Sequence, residues 1–388
     1  MKNKMKKQGV GQILFSVVCN FHTIPFSFLI FLPVTLFSNL NQVNNLEHLK
    51  IPLSHILSAT HDFSYQYRIG SLNDVQLYRA ELEHYDKENY SSKRYNTVII
   101  KRYPSDRRPK YSGEKHFVTE IEILSSVVKN PHIVNLLGFC VEDSEMILVI
   151  DNFSNGFLGE YLKNLKDKRV LTWEKRLKIC IDVAHGLHYI HCQMEDQKMI
   201  INRDIRSYTI GLDENWGAKI VSFGKSIFLP PNQEDKALYP KSCIGRSSYI
   251  DPQYEKTGKL KRESDVYGFG VVLFEILCGR LANDPIYLKE SDKGLAPVAR
   301  QRFSIGTLEE MIDPIIKEET AKNTFVLNSG PNKDSLHTFI SIARQCVVET
   351  QDQRPTMKVV VNELEKALFF QVSHRSNFIL CFPRSKIV

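Results

Sequence analysis

The chain has 388 residues, of which 43% are hydrophobic and 24% charged, and it carries a formal net charge of +7. This composition is ordinary for a globular protein that folds around a hydrophobic core. Its Lys and Arg residues are spread along the chain without a nucleic-acid-binding motif, so nucleic acid is not an expected partner. The eight cysteines form no C-x-x-C pair, which argues against both a zinc site and a disulfide framework.

Residues 1–50 differ from the remainder of the chain. Four lysines among the first seven residues precede a run over 13–40 that is rich in Phe, Leu, Ile and Val, the outline of a signal sequence or membrane anchor. Polar residues and prolines interrupt this run, and its cleanest part, IPFSFLIFLPVTLF, is shorter than the roughly 20 apolar residues of a spanning helix. Two interpretations stay open: a targeting segment, and an upstream extension with no role in the mature protein.

From residue 51 onward the pattern is that of a folded domain. Short runs rich in β-branched and aromatic residues, bounded by polar segments, predict strands. These strands are VQLYRAELE, NTVIIKRY, HIVNLLGFCVED and EMILVIDNF. Between the second and third strands, GEKHFVTEIEILSSVVK has apolar residues at helical spacing. The sequence therefore predicts a small β-rich lobe over 51–151 with one long helix.

Helical patterns dominate the larger lobe, which is predicted over 152–370. TWEKRLKICIDVAHGLHYIHCQ has one apolar face, whereas SDVYGFGVVLFEILCG is apolar nearly all round, which predicts a central, buried helix. A short helix is expected in TLEEMIDPIIKEE, and two helices close the lobe on either side of DQRPT. Residues 371–388 are predicted to form a C-terminal tail. The fold class is thus α+β, with two lobes.

The anchors VIIK, RD, FG, SDVYGFG and DQRPTM, in this order and spacing, resemble those of the plant receptor-like protein kinases. The resemblance runs from about Leu53 to Leu368 and implies a protein kinase fold. Within that group, the short chain without a recognisable ectodomain and its pattern of lost residues look most like the ZED-related (ZRK) receptor-like cytoplasmic kinases, which are close to the wall-associated kinases.

The resemblance implies a set of nucleotide-binding positions. They are Gly70, Leu72, Leu77, Ile99, Lys101, Glu120 and Asp151. Lys101 would grip the phosphates, with Glu120 as its helix partner. Leu72 and Val75 stand where glycines would let backbone N–H groups approach the phosphates, and Ile99 replaces an Ala of the adenine pocket, where its larger side chain crowds the base. ATP is therefore a possible but weak ligand.

The catalytic stretch INRDIRSYTIGLDENWGAKIVSFG retains part of the family's chemistry. Asp204 matches the catalytic base, and a structural Asp within the loop is the alternative interpretation of this position. Arg206 replaces the Lys that contacts the transferred phosphate. Thr209 and Ser222 replace the metal-binding Asn and Asp, so the sequence offers no expected metal ligand and puts magnesium binding in doubt. Because one lost electrostatic contact costs about 10²–10³ in rate, turnover should fall well below the roughly 1–100 per second of active kinases.

Four residues are implied to have regulatory roles. Arg203 matches the residue that docks a phosphorylated activation segment, and Ser247, Ser248 and Tyr249 lie in that segment. Phosphorylation of these hydroxyls by another kinase would create contacts with Arg203 or Arg206. A solvated loop without modification is the alternative for each hydroxyl.

Two further residues are expected to have structural roles. Asp265 is interpreted as the buried anchor of the catalytic loop. Arg354 loses its expected ion-pair partner, because Gln253 stands where the family has Glu, and a hydrogen bond from Gln253 is the expected replacement. The substitutions fall on chemistry more than on core residues, as expected of a scaffold that still has to fold.

Three functions follow from the resemblance. The first is an inactive or nearly inactive kinase fold that serves as a signalling adaptor in plant immunity, with a nucleotide-binding leucine-rich-repeat receptor and other receptor-like kinases as partners. The second is a weak ATP-dependent serine/threonine kinase that uses Lys101, Glu120 and Asp204. The third is a membrane-anchored receptor-kinase remnant that depends on residues 13–40. The expected location is the cytoplasm or the cytoplasmic face of the plasma membrane.

Overall fold

The computed structural model shows two lobes, a β-rich N-lobe and a mainly helical C-lobe, which confirms the predicted fold class. It describes residues 46–85, 93–104, 113–194, 199–229, 237–318 and 331–380. The predicted anchor segment at 13–40 lies outside these ranges. Within them, no helix combines the length and the apolar character needed to span a bilayer.

The N-lobe is built on an antiparallel sheet with strand order β1-β2-β3-β5-β4. Its strands are β1 (Arg68–Leu72), β2 (Val75–Tyr85), β3 (Lys93–Tyr103), β4 (Leu136–Glu142) and β5 (Glu145–Asp151). A two-residue turn joins β1 to β2, with Leu72 paired to Val75. The first turn residue, Asn73, has a φ of 56°, a left-handed conformation that Asn tolerates better than most residues. The phosphate-loop segment is therefore a tight hairpin.

Two helices cover the sheet of the N-lobe. Helix α2 (Gly113–Ser126) buries Phe117 and Ile121 in the main core. Helix α1 (Leu53–Thr60), which the sequence patterns did not predict, buries Ile56 in a separate cluster. Upstream of it, Leu46 is buried in the main core. The packing of the N-lobe therefore includes residues before the predicted boundary at 51.

The C-lobe is assembled around a central helix. Its helices are α3 (Leu158–Leu162), α4 (Trp173–Cys192), α5 (Pro252–Thr257), α6 (Arg262–Cys278), α7 (Pro285–Leu288), α8 (Leu295–Ser304), α9 (Pro314–Glu318), α10 (Lys333–Cys346) and α11 (Met357–Leu380). Helix α6 is buried continuously from Asp265 to Cys278, as its all-round apolar sequence predicted. Helix α11 continues past the predicted boundary at 370 to Leu380, and Gln371 in this extension is buried.

Short antiparallel strands at the junction of the lobes carry the segments that matter for chemistry. They are β6 (Gly156–Phe157), β7 (Met199–Ile201), β8 (Ile210–Leu212), β9 (Ala218–Ile220) and β10 (Ile227–Leu229). Strand β8 pairs with β6 and β9, and β7 pairs with β10. The catalytic loop therefore connects β7 to β8, and the Phe223–Gly224 segment connects β9 to β10, so the two segments lie side by side.

The end of the activation segment is held by a buried ion pair that differs from the expected arrangement. Arg354 donates to Asp251 rather than to Gln253, with 2.7 Å between Nη2 and Oδ1 and both side chains 0% exposed. Gln253 instead accepts a hydrogen bond from the backbone N–H of Gln351. The expected replacement by Gln253 is therefore wrong, because Asp251 supplies a carboxylate two residues earlier in the chain.

We expect Asp251→Ala to lower the free energy of unfolding by about 3–5 kcal/mol, because it leaves the guanidinium of Arg354 buried without its counter-charge. Glu255→Ala is the matched control, since Glu255 pairs with Lys293 at the surface, where these side chains are 38% and 37% exposed; its cost should stay below about 1 kcal/mol. Urea unfolding measures both values. Equal costs for the two variants would contradict a structural role for the buried pair.

Candidate functional site

A buried ion pair connects β3 to α2 at the back of the interlobe cleft. Nζ of Lys101 lies 2.5 Å from Oε1 of Glu120, and both side chains are 2% exposed. Lys101 also donates to the carbonyl of Val221 (3.2 Å), and Glu120 accepts hydrogen bonds from the hydroxyl of Tyr103 and the backbone N–H of Phe223. The two predicted partners are thus in contact, and they bind the Phe223–Gly224 segment to the N-lobe.

The remaining positions implied to bind nucleotide are largely covered by protein atoms. Leu77 and Ile99 are completely buried in the main core, and Leu72 and Val75 are buried at the end of the hairpin. These side chains place hydrocarbon where glycines would present backbone N–H groups. The side chains at the hairpin end therefore obstruct the approach of a phosphate group to the backbone N–H groups on which a kinase phosphate loop depends.

The last two predicted nucleotide-binding positions are Gly70, in β1, and Asp151, at the end of β5. Gly70 has a φ of +147°, and a Cβ at this position would meet no atom within 4 Å. Asp151 ends β5, where its carboxylate accepts hydrogen bonds from the side-chain amide of Asn135 (2.6 Å) and from Nζ of Lys219 (2.8 Å). The carboxylate of Asp151 is therefore engaged within the protein.

Asp204 lies at the centre of the catalytic loop with its carboxylate fully engaged. Oδ1 is 3.0 Å from Nζ of Lys225 and 3.2 Å from Nε of Arg206, and Oδ2 accepts a hydrogen bond from Nδ2 of Asn73 (3.3 Å). Burial alone would raise the pKa of Asp204, but the charges of Arg206 and Lys225 outweigh burial and lower it. A carboxylate with a lowered pKa and occupied oxygens is a weak general base.

Asn73 and Lys225 were not identified from the sequence. Besides donating to Asp204, Asn73 accepts a hydrogen bond at Oδ1 from Nη2 of Arg206 (3.1 Å). Asn73, Asp204 and Arg206 thus form a connection between the lobes, which we call the hairpin latch. Lys225 carried a usable signal, since it is a cation directly after Phe223–Gly224. Asn73 carried none, because its contact depends on the register of the β1–β2 hairpin.

The positions of the lost metal ligands do not fit a magnesium ion. The hydroxyl of Thr209 accepts a hydrogen bond from the N–H of Arg206 and lies 2.8 Å from the carbonyl of Asp204, so it closes the backbone of its own loop. Ser222 offers one neutral hydroxyl. Magnesium prefers octahedral oxygen ligands that include carboxylates.

The family pattern has a His directly before Arg203 where this chain has Asn202, and the framework of the catalytic loop is held without that His. Asn202 takes its place: Nδ2 donates to the carbonyl of Ser222 (2.8 Å), and Oδ1 accepts from the N–H of Asp204 (3.0 Å). The carboxylate of Asp265 accepts hydrogen bonds from the backbone N–H groups of Asn202 (2.7 Å) and Arg203 (2.8 Å). These bonds fix the loop backbone without any contribution from a ligand.

The predicted regulatory arginine already has partners in the activation segment. The guanidinium of Arg203 donates to the carbonyls of Lys225 and Ser242 and to the hydroxyl of Tyr254 (3.0 Å). These contacts place Arg203 where it holds the activation segment against the catalytic loop. A phosphate group on this segment would have to compete with them.

The three predicted phosphorylation sites differ in accessibility. Ser247 is exposed, with its hydroxyl 3.5 Å from Nζ of Lys293. Ser248 is buried, and the hydroxyl of Tyr249 donates to Oε1 of the buried Glu275 at 2.5 Å. In this conformation Ser248 and Tyr249 are not accessible to another kinase, because the segment packs against α6. Of the three predicted sites, only Ser247 has an exposed hydroxyl.

Comparison with known proteins defines the class. Residues 64–364 match the family model described as protein tyrosine and serine/threonine kinase. The chain therefore belongs to the protein kinase family, in agreement with the two lobes, the Lys101–Glu120 pair and the position of Asp204 beside Phe223–Gly224.

The similar curated proteins are receptor-like kinases of Arabidopsis thaliana. The chain is 37% identical to the probable receptor-like protein kinase At2g23200 over 84% of its own length and 35% of that protein. It is 38% identical to FERONIA over 68% of its own length and 28% of the length of FERONIA. It is 40% identical to ANXUR1 over 67% of its own length and 28% of the length of ANXUR1. The chain thus spans about a third of the length of these relatives. They support the resemblance to receptor-like kinases and leave the finer ZED-related placement open.

We expect the stability of this protein to respond to pH through Glu275. Burial raises the pKa of Glu275 to about 7, against the lowering effect of the hydrogen bonds from Tyr249 and the N–H of Ala282. The folded state then binds this proton more tightly than the unfolded chain, so the contribution of Glu275 to stability falls as the pH rises from about 4.5 through 7.

The variant Glu275→Gln keeps an acceptor for Tyr249 and removes the titration. Between pH 5 and pH 8, the free energy of unfolding of the unmodified protein should fall by about 1–3 kcal/mol more than that of Glu275→Gln. Denaturant unfolding at the two pH values measures this difference, and Glu255→Gln at the surface serves as the control. An identical pH dependence of Glu275→Gln and the unmodified protein would contradict the assignment.

Proposed function

We propose that this protein is a pseudokinase that acts as a signalling adaptor. The observation that carries this proposal is the state of Asp204, whose two carboxylate oxygens are held by Asn73, Arg206 and Lys225. A substrate hydroxyl would have to displace at least one of these partners to reach the base. The neutral residues Thr209 and Ser222 at the metal positions support the same proposal, because phosphoryl transfer depends on charge neutralisation by metal ions.

The adaptor proposal is also supported by what the chain retains. The catalytic loop is anchored by Asn202 and Asp265, and the activation segment is fixed by the buried Asp251–Arg354 pair. A protein that only presents surfaces to partners needs this rigid scaffold and does not need a working metal site. Thr209 and Ser222, at the two metal positions, differ from the family pattern in residues that serve the reaction.

The partners we propose are proteins of plant immune signalling. The pattern of lost residues, as in the ZED-related kinases, favours a role in which one surface holds a nucleotide-binding leucine-rich-repeat receptor and another senses a second receptor-like kinase. The similarity to Arabidopsis receptor-like kinases supports the plant signalling context. The proposed location is the cytoplasm or the cytoplasmic face of the plasma membrane. If residues 13–40 anchor the chain, the protein is instead a membrane-bound receptor-kinase remnant.

A weak serine/threonine kinase is the second candidate, and one observation favours it. The buried Lys101–Glu120 pair, which active kinases use to position the phosphates of ATP, is formed. The kinase family binds ATP and magnesium in general, and this pair would hold the phosphates if ATP entered the cleft. The two candidates therefore differ in whether Asp204 performs chemistry.

A phosphotransfer assay separates the two candidates. We expect transfer by the unmodified protein to be indistinguishable from that of Asp204→Ala, because the metal ligands are missing and the base is engaged. The combined variant Thr209→Asn, Ser222→Asp and Lys225→Leu restores the metal ligands and removes one of the two cations that contact Oδ1 of Asp204. Measurable transfer by this variant, lost again on adding Asp204→Ala, would show that the scaffold is intact and only its chemistry is missing.

The opposite pattern would overturn the pseudokinase proposal. If the unmodified protein transfers phosphate from ATP and loses this activity in Asp204→Ala, then it is a kinase with an unusual metal arrangement. A matched surface variant such as Glu255→Ala, which should leave any transfer unchanged, controls for a contaminating kinase and for loss of folded protein.

A further inference from the structure

The end of the β1–β2 hairpin is closed onto the catalytic loop. Leu72 and Val75, which flank the turn, are 5% and 7% exposed. The cavity left beside them, towards Lys101 and Ser222, has a volume of about 20 Å³, which is room for about one water molecule. The side chains of the protein therefore fill most of the space beneath the hairpin end.

Two hydrogen bonds of the Asn73 side-chain amide hold this closed arrangement. Nδ2 donates to Oδ2 of Asp204 (3.3 Å), and Oδ1 accepts from Nη2 of Arg206 (3.1 Å). The side chains of Asp204 and Arg206 are 2% and 6% exposed. Hydrogen bonds to buried charged groups are stronger than those between neutral groups. A single amide therefore makes a strong connection between the lobes.

The chemistry of the latch residues fits this contact on both sides. An amide carries a donor and an acceptor on one planar group, so it can face a carboxylate and a guanidinium together. Arg206 uses Nε for Asp204 and Nη2 for Asn73. The ammonium of the Lys in the family pattern offers no such planar fork. The replacement at position 206 therefore favours the latch.

The hairpin also has a point about which its backbone can bend. The pairing of β1 with β2 shifts in register between Arg68 and Gly70. Gly70 has a φ of +147°, and no atom lies within 4 Å of the place where a Cβ would stand. A glycine in open surroundings can change its backbone conformation at low cost. The hydrogen bonds of Asn73, beyond this point in the chain, therefore oppose a movement that the backbone allows.

We propose that the hairpin latch is a conformational lock, which keeps the β1–β2 hairpin closed on the catalytic loop whether or not a nucleotide is present. The position of the hairpin end is then set by Asn73, Asp204 and Arg206. For the adaptor function proposed above, on which this consequence rests, the lock gives partner proteins a constant surface across both lobes. A hairpin that opened and closed would present such a surface only for the fraction of time that it is closed.

The rate at which a thiol reagent modifies a buried cysteine at the hairpin end measures how often the hairpin opens. The probe is Val75→Cys in the full chain, treated with iodoacetamide without nucleotide. Mass spectrometry of the peptide that contains position 75 gives the rate, so modification of the native cysteines does not obscure it. We expect slow modification. Ser71→Cys, at an exposed position of β1, should react fast with the latch intact or broken.

Breaking the latch should accelerate the modification of Val75→Cys by about ten-fold or more, because two hydrogen bonds to charged groups are lost. Asn73→Gly removes both bonds and tolerates the left-handed backbone of this position. Asn73→Asp replaces the donated bond by repulsion from Asp204. Asp74→Ala is the matched control, because Asp74 is exposed in the same turn, and it should leave the rate unchanged.

An exchange of the two side chains tests the contact itself. The double variant Asn73→Asp with Asp204→Asn again places an amide opposite a carboxylate and keeps an acceptor for Arg206. It should return the modification rate to within about two-fold of that of the intact latch. Cys180 and Cys346, both 0% exposed in the C-lobe, should stay unmodified in every variant, which separates opening of the hairpin from unfolding of the chain.

Several results would overturn the proposal. They are fast modification of Val75→Cys with the latch intact, an unchanged rate in folded Asn73→Gly and Asn73→Asp variants, and an unrestored rate in the folded double variant. ATP with magnesium should leave the rate unchanged, and a clear slowing would also reject the lock, since closure would then depend on nucleotide. Phosphotransfer that depends on Asp204 is measured separately, so failure of the lock leaves the pseudokinase proposal intact.

Discussion

The buried pair between Lys101 and Glu120 is the interaction on which the arrangement of the cleft depends. A charge removed from water needs a close counter-charge and further hydrogen bonds, and here the partners come from β3, α2 and the Phe223–Gly224 segment. Because both side chains are almost fully buried, displacing either one would leave the charge of the other buried without a counter-charge. The pair therefore fixes α2 against the sheet and aligns the cleft, although Thr209 and Ser222 stand where the family pattern has its metal ligands.

The need of a buried charge for a close counter-charge also explains how the cleft remains stable around Asp204. In a working kinase, metal ions and substrate offset the negative charges of the site during the reaction. In this protein Arg206 and Lys225 lie within 3.2 Å of the Asp204 carboxylate, so its charge is balanced by side chains at all times. These contacts stabilise the buried carboxylate of Asp204 in the folded state without a ligand.

Structural and chemical positions have changed in different ways. Asn202 replaces a His and still connects the catalytic loop to the carbonyl of Ser222, and Asp251 provides the carboxylate that Gln253 lacks. At these positions the hydrogen-bonding role survives with a different residue. Thr209 shows the opposite, since its hydroxyl serves only the backbone of its own loop. The hydrogen bonds that hold the loop backbone are therefore kept, whereas the residues at the two metal positions are neutral.

The sequence by itself determined the two-lobed α+β fold, the kinase family and the loss of the Asn and Asp metal ligands, since these depend on local hydrophobic periodicity and on short motifs in fixed order. It also indicated the Lys101–Glu120 pair, because each residue lies in its motif. Tertiary structure alone decided that Asn73 contacts Asp204, 131 positions later in the sequence. It also decided that Arg354 pairs with Asp251, and that Ser248 and Tyr249 pack towards α6. Such contacts depend on hairpin register and on the docking of whole elements, and no local pattern encodes the distance between two side chains that meet only when the lobes come together.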